Sequence, residues 1–81
     1  MKTDWNLTSD GLKREITFQT FTDLTAFLAK IGPVADAMNH HPDIEISKAT
    51  KLAITLCSHD VGEVTERDHK LADTIDALLI D

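Results

Sequence analysis

The apolar residues of this chain switch back and forth between two spacings, and that switching constrains the fold more than any single motif. Leu12, Ile16 and Phe18 stand at even positions with Arg14 among them, while Lys13, Glu15, Thr17 and Gln19 fill the odd ones. Such alternation sends successive side chains to opposite faces of a half-buried strand. From Phe21 the spacing becomes three and four, through Leu24, Phe27, Leu28, Ile31, Val34 and Met38, which is the stripe of an amphipathic helix. "DIEIS" and "TKLAITLCS" return to alternation with Ile44 and Ile46, then Leu52, Ile54 and Leu56; Leu71, Ala72, Ile75, Leu78 and Leu79 supply a second helical stripe. A short strand at Trp5 to Thr8, the Ser9-Asp10-Gly11 turn and a return strand from Leu12 to Gln19 complete a β-β-α-β-β-α order. Two hairpins alternating with two one-faced helices predict an α+β sandwich on an antiparallel sheet.

Local chemistry sets the boundaries. Thr20 with Asp23, and Thr65 with Asp68, have the spacing of capping boxes that open helices. Gly32-Pro33 predicts a kink in the first helix, with a break as the alternative, because Pro33 offers no amide hydrogen to Ala29 and its ring crowds that turn. Pro42 disfavours helical angles at His41, so the helix is expected to finish near Asn39 and leave both histidines of "NHHP" on the connection. The turn through Ser47 to Ala49 has no Gly, Asn or Asp, which leaves its type open and the register uncertain by a residue or two. If it centres near Lys48-Ala49, His40 lies opposite about residue 58 and His59 returns to the histidine pair.

At 81 residues the chain is expected to be one domain, residues 1–81, with a marginal core. No apolar run approaches the roughly 20 residues of a membrane span. "MKTDWNLTSD" has neither a signal-peptide apolar region nor an Arg-rich transit pattern, so a cytoplasmic location is expected. Cys57 is the only cysteine, which leaves no internal disulfide and no cysteine-cluster zinc site, and it reads as a small buried hydrophobe on a strand. Fourteen acidic residues against eight basic ones give a net charge of −6, and the basic residues are scattered. Direct nucleic-acid binding is disfavoured, since neutralising phosphates requires a clustered basic surface. A neutral small molecule or a protein partner fits better.

The chemistry gathers at His40, His41 and His59, with Asp60 adjacent and Asp68 opening the next helix. Each has a plain structural explanation: helix-end or solvent-facing rings, a capping aspartate, and His69 on a helix surface. Three imidazoles and a water can hold catalytic zinc. Adjacent residues on an extended segment point to opposite sides, however, so His40 and His41 are poor co-ligands and no metal is expected. Acid-base catalysis asks only that two rings reach a substrate, and imidazole titrates near neutrality. Neither His40 nor His59 is needed for a core on this reading, so replacing them is expected to leave folding intact. No nucleophile elbow and no glycine-rich phosphate loop is present.

"NHHPDIEI", then "LAITLCSHD", then "VTERDHKLA" closely resemble the pterin-4a-carbinolamine dehydratases, also called 4a-hydroxytetrahydrobiopterin dehydratases, and the likeness extends from Trp5 to about Leu78. The resemblance implies a four-stranded antiparallel sheet with helices on one face, an N-terminal helix shortened or absent here, and assembly into homodimers or homotetramers. It implies a lyase that eliminates water from a 4a-hydroxytetrahydropterin to give the quinonoid dihydropterin in tetrahydropterin recycling; neither a metal nor an organic cofactor is expected for it here. Carried over by position, its active-site histidines fall on His40, His41 and His59, its substrate-contacting segments on His40 to Pro42 and Ser58 to Val61 (thus Pro42, Ser58, Asp60 and Val61), and its helix-opening aspartate on Asp68. Asp36 matches an acidic position of the pattern. Some animal members also serve as transcriptional dimerisation cofactors. The chain departs from the pattern where an aromatic residue usually follows the proline and Ser47, Lys48 and Ala49 stand instead, at Ile44 in place of a frequent tryptophan, and at Glu63-Val64-Thr65, with Gly62 displaced by one. These bear on pocket shape and rate more than on fold, and they keep a rival reading in view: a catalytically weak, dehydratase-like binding or assembly protein.

Overall fold

The computed structural model describes residues 4–80, and the expected elements follow in the expected order: β1 (Asn6–Thr8), β2 (Gly11–Thr17), α1 (Phe21–Met38), β3 (Asp43–Ser47), β4 (Lys51–Leu56) and α2 (Glu66–Ile80). Every strand pair is antiparallel and the sheet order is β1-β2-β4-β3, so the two hairpins join through the central pair β2 and β4. Leu12 pairs with Leu56, Arg14 with Ile54 and Ile16 with Leu52, while Ile44 and Ile46 meet Ile54 and Leu52 from the other side. One sheet face therefore collects the even-numbered apolar residues. Leu24, Phe27, Ile31 and Ala35 of α1 and Leu71, Ala72 and Ile75 of α2 are buried with Leu12, Leu52, Ile54 and Leu56. The odd-numbered face presents Lys13, Glu15, Thr17, Glu45 and Lys51.

Trp5 lies outside β1, which starts one residue later than expected. Its ring is buried in the core and Nε1 donates to Asp76 Oδ1 at 2.9 Å. Arg14, the one charge on the apolar face of β2, is met there by Asp76 at 2.6 Å and by Asp4 at 3.2 Å. β2 ends at Thr17, two residues before the expected Gln19, because the chain turns at Gln19 and Thr20 to begin α1. The break considered at Gly32-Pro33 does not occur, and α1 is continuous across it. Ala29, Gly32 and Pro33 are all exposed, so the carbonyl that Pro33 cannot satisfy can turn to water.

Two local devices aim the chain at the site. Asn39 adopts left-handed angles (φ 50°, ψ 42°) and the amides of Asn39 and His40 return to the last-turn carbonyls, ending α1 at the expected place. Pro42 then carries the chain into β3. The β3–β4 register runs from Asp43 opposite Thr55 to Ser47 opposite Lys51, within the expected range, and its continuation puts Ser58 opposite His40. Among the described residues no helix is long and apolar enough to cross a membrane. Residues before Asp4, where the shortened or absent helix was expected, lie outside the described residues.

Candidate active site

Asp68 is the centre of the arrangement. It lies in the first turn of α2, is fully buried, and has three hydrogen-bond partners. Oδ1 faces His40 Nε2 at 2.5 Å, and Oδ2 accepts from the Ser58 hydroxyl at 2.8 Å and from the Thr65 amide at 2.9 Å. Burial by itself pushes this carboxyl up. The hydrogen bonds from His40, the Thr65 amide and Ser58 together outweigh that penalty and hold Asp68 below the usual aspartate range, ionised at neutral pH. The expected capping box is thus half built: Asp68 reaches back to the Thr65 amide, but the Thr65 hydroxyl lies 2.7 Å from Ser58 Oγ instead of capping the helix.

His40 is itself buried, 8% exposed. This corrects the expectation that its ring is dispensable for folding, since removing it would leave a buried carboxylate short of a donor. Among the described residues its Nδ1 has no hydrogen-bond partner, and it is not sealed from water, so that edge of the ring reaches the surface. His41 points the other way, as neighbours on an extended segment do. It is 58% exposed at the side chain and its Nε2 meets Asp36 at 2.8 Å. His59, 70% exposed, sits 3.5 Å from Asp43 at the start of β3. Each of the three histidines therefore has a carboxylate of its own, and all three stand at the end of the sheet where α1 ends, β3 begins and β4 ends.

The remaining expected residues divide. Ser58 is fully buried, which leaves it to hold Asp68 and, through it, His40. Residues 58–63 form a tight loop, closed by the Ser58 amide on the Glu63 carbonyl and by the Val61 and Gly62 amides on the Ser58 carbonyl. The loop leaves Asp60 and Val61 outside, Val61 being 55% exposed. Asp60 is bound at 2.7 Å by Arg67 of α2, whose hydrogen bond holds its carboxyl below the usual range. Pro42 is half-buried behind His41. His69 is exposed on α2, as expected. Sequence reasoning missed Asp43 as the partner of His59, although the β3–β4 register carries the signal: the residue that opens β3 lies nearest the end of β4. It also read Thr65 only as a cap.

Among the described residues no group of three or more His, Cys, Asp or Glu side chains is disposed to hold a metal ion. The arrangement offers one sheltered imidazole oriented by a buried carboxylate and two open imidazoles beside it. Those are groups that donate and accept protons near neutral pH.

The family model for pterin 4 alpha carbinolamine dehydratase matches residues 1–78. A protein of Sulfurisphaera tokodaii described as "putative pterin-4-alpha-carbinolamine dehydratase" is 40% identical over 75 residues, 93% of this chain and 80% of that protein. One of Acidobacterium capsulatum with the same description is 39% identical over the same shares. The crystal structure of a transcriptional coactivator/pterin dehydratase from Brucella melitensis superposes with a TM-score of 0.85 at 26% identity, covering 93% of this chain and 81% of that one. A pterin dehydratase-like protein identified as a RuBisCO assembly factor of the alpha-carboxysome shares the fold, with a TM-score of 0.77 at 23% identity over 94% of this chain and 89% of that one. With the family model spanning nearly the whole sequence and the histidine-bearing end of the sheet built as described, this chain belongs to the pterin 4 alpha carbinolamine dehydratase family.

Proposed function

We propose that this protein dehydrates a 4a-hydroxytetrahydropterin, with His40 and His59 as the acid and base and His41 positioning the pterin. The observation that carries the reading is the pairing of a sheltered His40, held on ionised Asp68, with an open His59 at the same end of the sheet. The bond between C4a and the hydroxyl oxygen breaks with its electron pair going to oxygen, which takes a proton and leaves as water. A ring N–H gives up its proton and its electron pair forms the new C=N bond. One imidazole delivers the first proton and the other accepts the second, each contributing on the order of 10²-fold to 10⁴-fold. The balance needs no oxidant, metal or organic cofactor. Val61 and Asp60, on the loop beside His59, and Pro42 behind His41 would flank the pterin. A cytoplasmic homodimer or homotetramer that binds neither nucleic acid nor membrane completes the proposal. The rival, a binding or assembly protein of this fold, is favoured by Lys48-Ala49 where the family pattern usually has an aromatic residue.

The test is a dehydration assay on freshly generated 4a-hydroxytetrahydropterin. His40→Ala and His59→Ala should each lower turnover about 10²-fold or more. His41→Ala should act mainly on KM, and His69→Ala should be nearly silent. Activity should survive chelation, and a stoichiometric zinc requirement would overturn that part. His59→Ala should fold normally, whereas His40→Ala needs a circular dichroism control because the ring is buried. Wild-type turnover in both variants while folded would remove acid-base catalysis and leave the binding protein as the better reading.

A further inference from the structure

The hydroxyl of Thr65 does something that the other helix-opening threonine does not. At α1 the arrangement is ordinary: Thr20 Oγ1 accepts from the Asp23 amide three residues on, at 3.0 Å. At α2 the equivalent amide, that of Asp68, goes to the Thr65 carbonyl at 3.0 Å, and the Thr65 hydroxyl turns to Ser58 Oγ at 2.7 Å. Ser58 has a single hydroxyl hydrogen and gives it to Asp68 Oδ2. Thr65 must therefore be the donor in its contact with Ser58. The chain of hydrogens has one direction: Thr65 Oγ1–H to Ser58 Oγ, and Ser58 Oγ–H to Asp68 Oδ2. The Thr65 main-chain N–H adds a second hydrogen to the same oxygen.

With two hydrogens directed at Oδ2, only Oδ1 remains for His40. An ionised carboxylate accepts and cannot donate, so His40 Nε2 has to bring a proton to the 2.5 Å contact. The single alternative is a proton on Oδ1 facing a bare Nε2, and it is opposed by the Ser58 hydroxyl and the Thr65 amide, whose two hydrogens on Oδ2 favour the charged carboxylate whatever His40 does. A neutral His40 thus carries its hydrogen on Nε2 and a lone pair on Nδ1, the nitrogen that reaches the surface. We propose that Thr65 and Ser58 are positioning residues that fix the tautomer of His40 through Asp68, so that Nδ1 is the nitrogen that exchanges a proton with the substrate. The last clause rests on the dehydratase reading; the tautomer itself does not.

Long-range nitrogen–proton NMR on protein labelled with 15N-histidine, at a pH where the ring is neutral, reports the tautomer directly. The wild type should show His40 with a pyrrole-type Nε2 and a pyridine-type Nδ1. The reverse, or an even mixture, would overturn the proposal. Asp68→Asn should invert the ring. The Thr65 main-chain N–H can only donate, so the amide oxygen stays at the Oδ2 position, the NH2 group turns to His40, and Nε2 becomes the acceptor. A folded Asp68→Asn protein that keeps the Nε2–H form would count against control from the Oδ2 side. Ser58→Ala and Thr65→Val should each release part of the population to the Nδ1–H form and slow dehydration about tenfold, as loss of an orienting contact behind an active group does. Thr65→Ser should restore both readouts. An unchanged tautomer together with unchanged rate in folded Ser58→Ala and Thr65→Val would leave these residues with no positioning role. If the tautomers behave as expected while no variant dehydrates a pterin, the lock stands and the dehydratase reading falls.

Discussion

Asp68 shows how a single side chain can be costly alone and stabilising in company. A carboxylate with no solvent exposure is penalised by desolvation, and here three donors more than compensate, so its proton affinity is lower in the folded chain than in the unfolded one. The consequence for stability follows from linkage. A carboxyl with a lowered folded value contributes its full stabilisation above the unfolded value of about 3.9, and that contribution is lost as pH falls through the lower, folded value. Urea midpoints measured between about pH 5 and pH 2 should therefore fall more steeply for the wild type than for Asp68→Asn, which has no proton to take up. Parallel slopes would show that Asp68 is not the group that couples folding to acid. The exposed pairs, His41 with Asp36 and Arg67 with Asp60, are expected to add little to this, because water screens charges at such sites.

At the scale of the elements, two connections bear opposite relations to their backbone angles. The β3–β4 turn places Lys48 and Ala49 at φ 54° and 66°, a left-handed region that costs an ordinary L-residue roughly 1–2 kcal/mol. Ala49→Gly should raise the free energy of unfolding by about 1 kcal/mol through relief of that strain. Gly11, where β2 begins, is the converse: its φ is +130°, and an added Cβ would collide with the carbonyl oxygen of Leu56 on β4. Gly11→Ala should destabilise by roughly 1–3 kcal/mol, read by the same urea titration. A neutral Gly11→Ala would mean that β2 and β4 can separate at this end without loss. The same end of β4 leads into Cys57 and Ser58, so strain there reaches the partner of Asp68.

For the whole molecule the open question is its edges. β1 and β3 are both edge strands, and all five residues of β3 are exposed, with Ile44 at 39% and Ile46 at 41% although they lie on the helix side of the sheet. Unpaired strand edges invite a second copy, and a core drawn from 81 residues gains from any further burial. Sedimentation at micromolar concentration should show a dimer or tetramer, and a stable monomer would count against self-association. How this molecule is organised was legible in part from its sequence. Apolar spacing reports which face of an element is dry, and it is a local property, so the order β-β-α-β-β-α, the two buried helical stripes and the end of α1 at Asn39 are all legible in the order of residues along the chain. Proline chemistry placed His40 and His41 on a connection, and strand alternation around a turn centred near Lys48-Ala49 put His40 opposite about residue 58, to within a residue or two. The placement of β2 beside β4, the burial of His40, the Asp43 partner of His59 and the diversion of the Thr65 hydroxyl to Ser58 came only from the tertiary structure. The physical reason is shared: the packing of elements decides which groups a polar side chain meets within reach, and no spacing along the chain states which elements will meet.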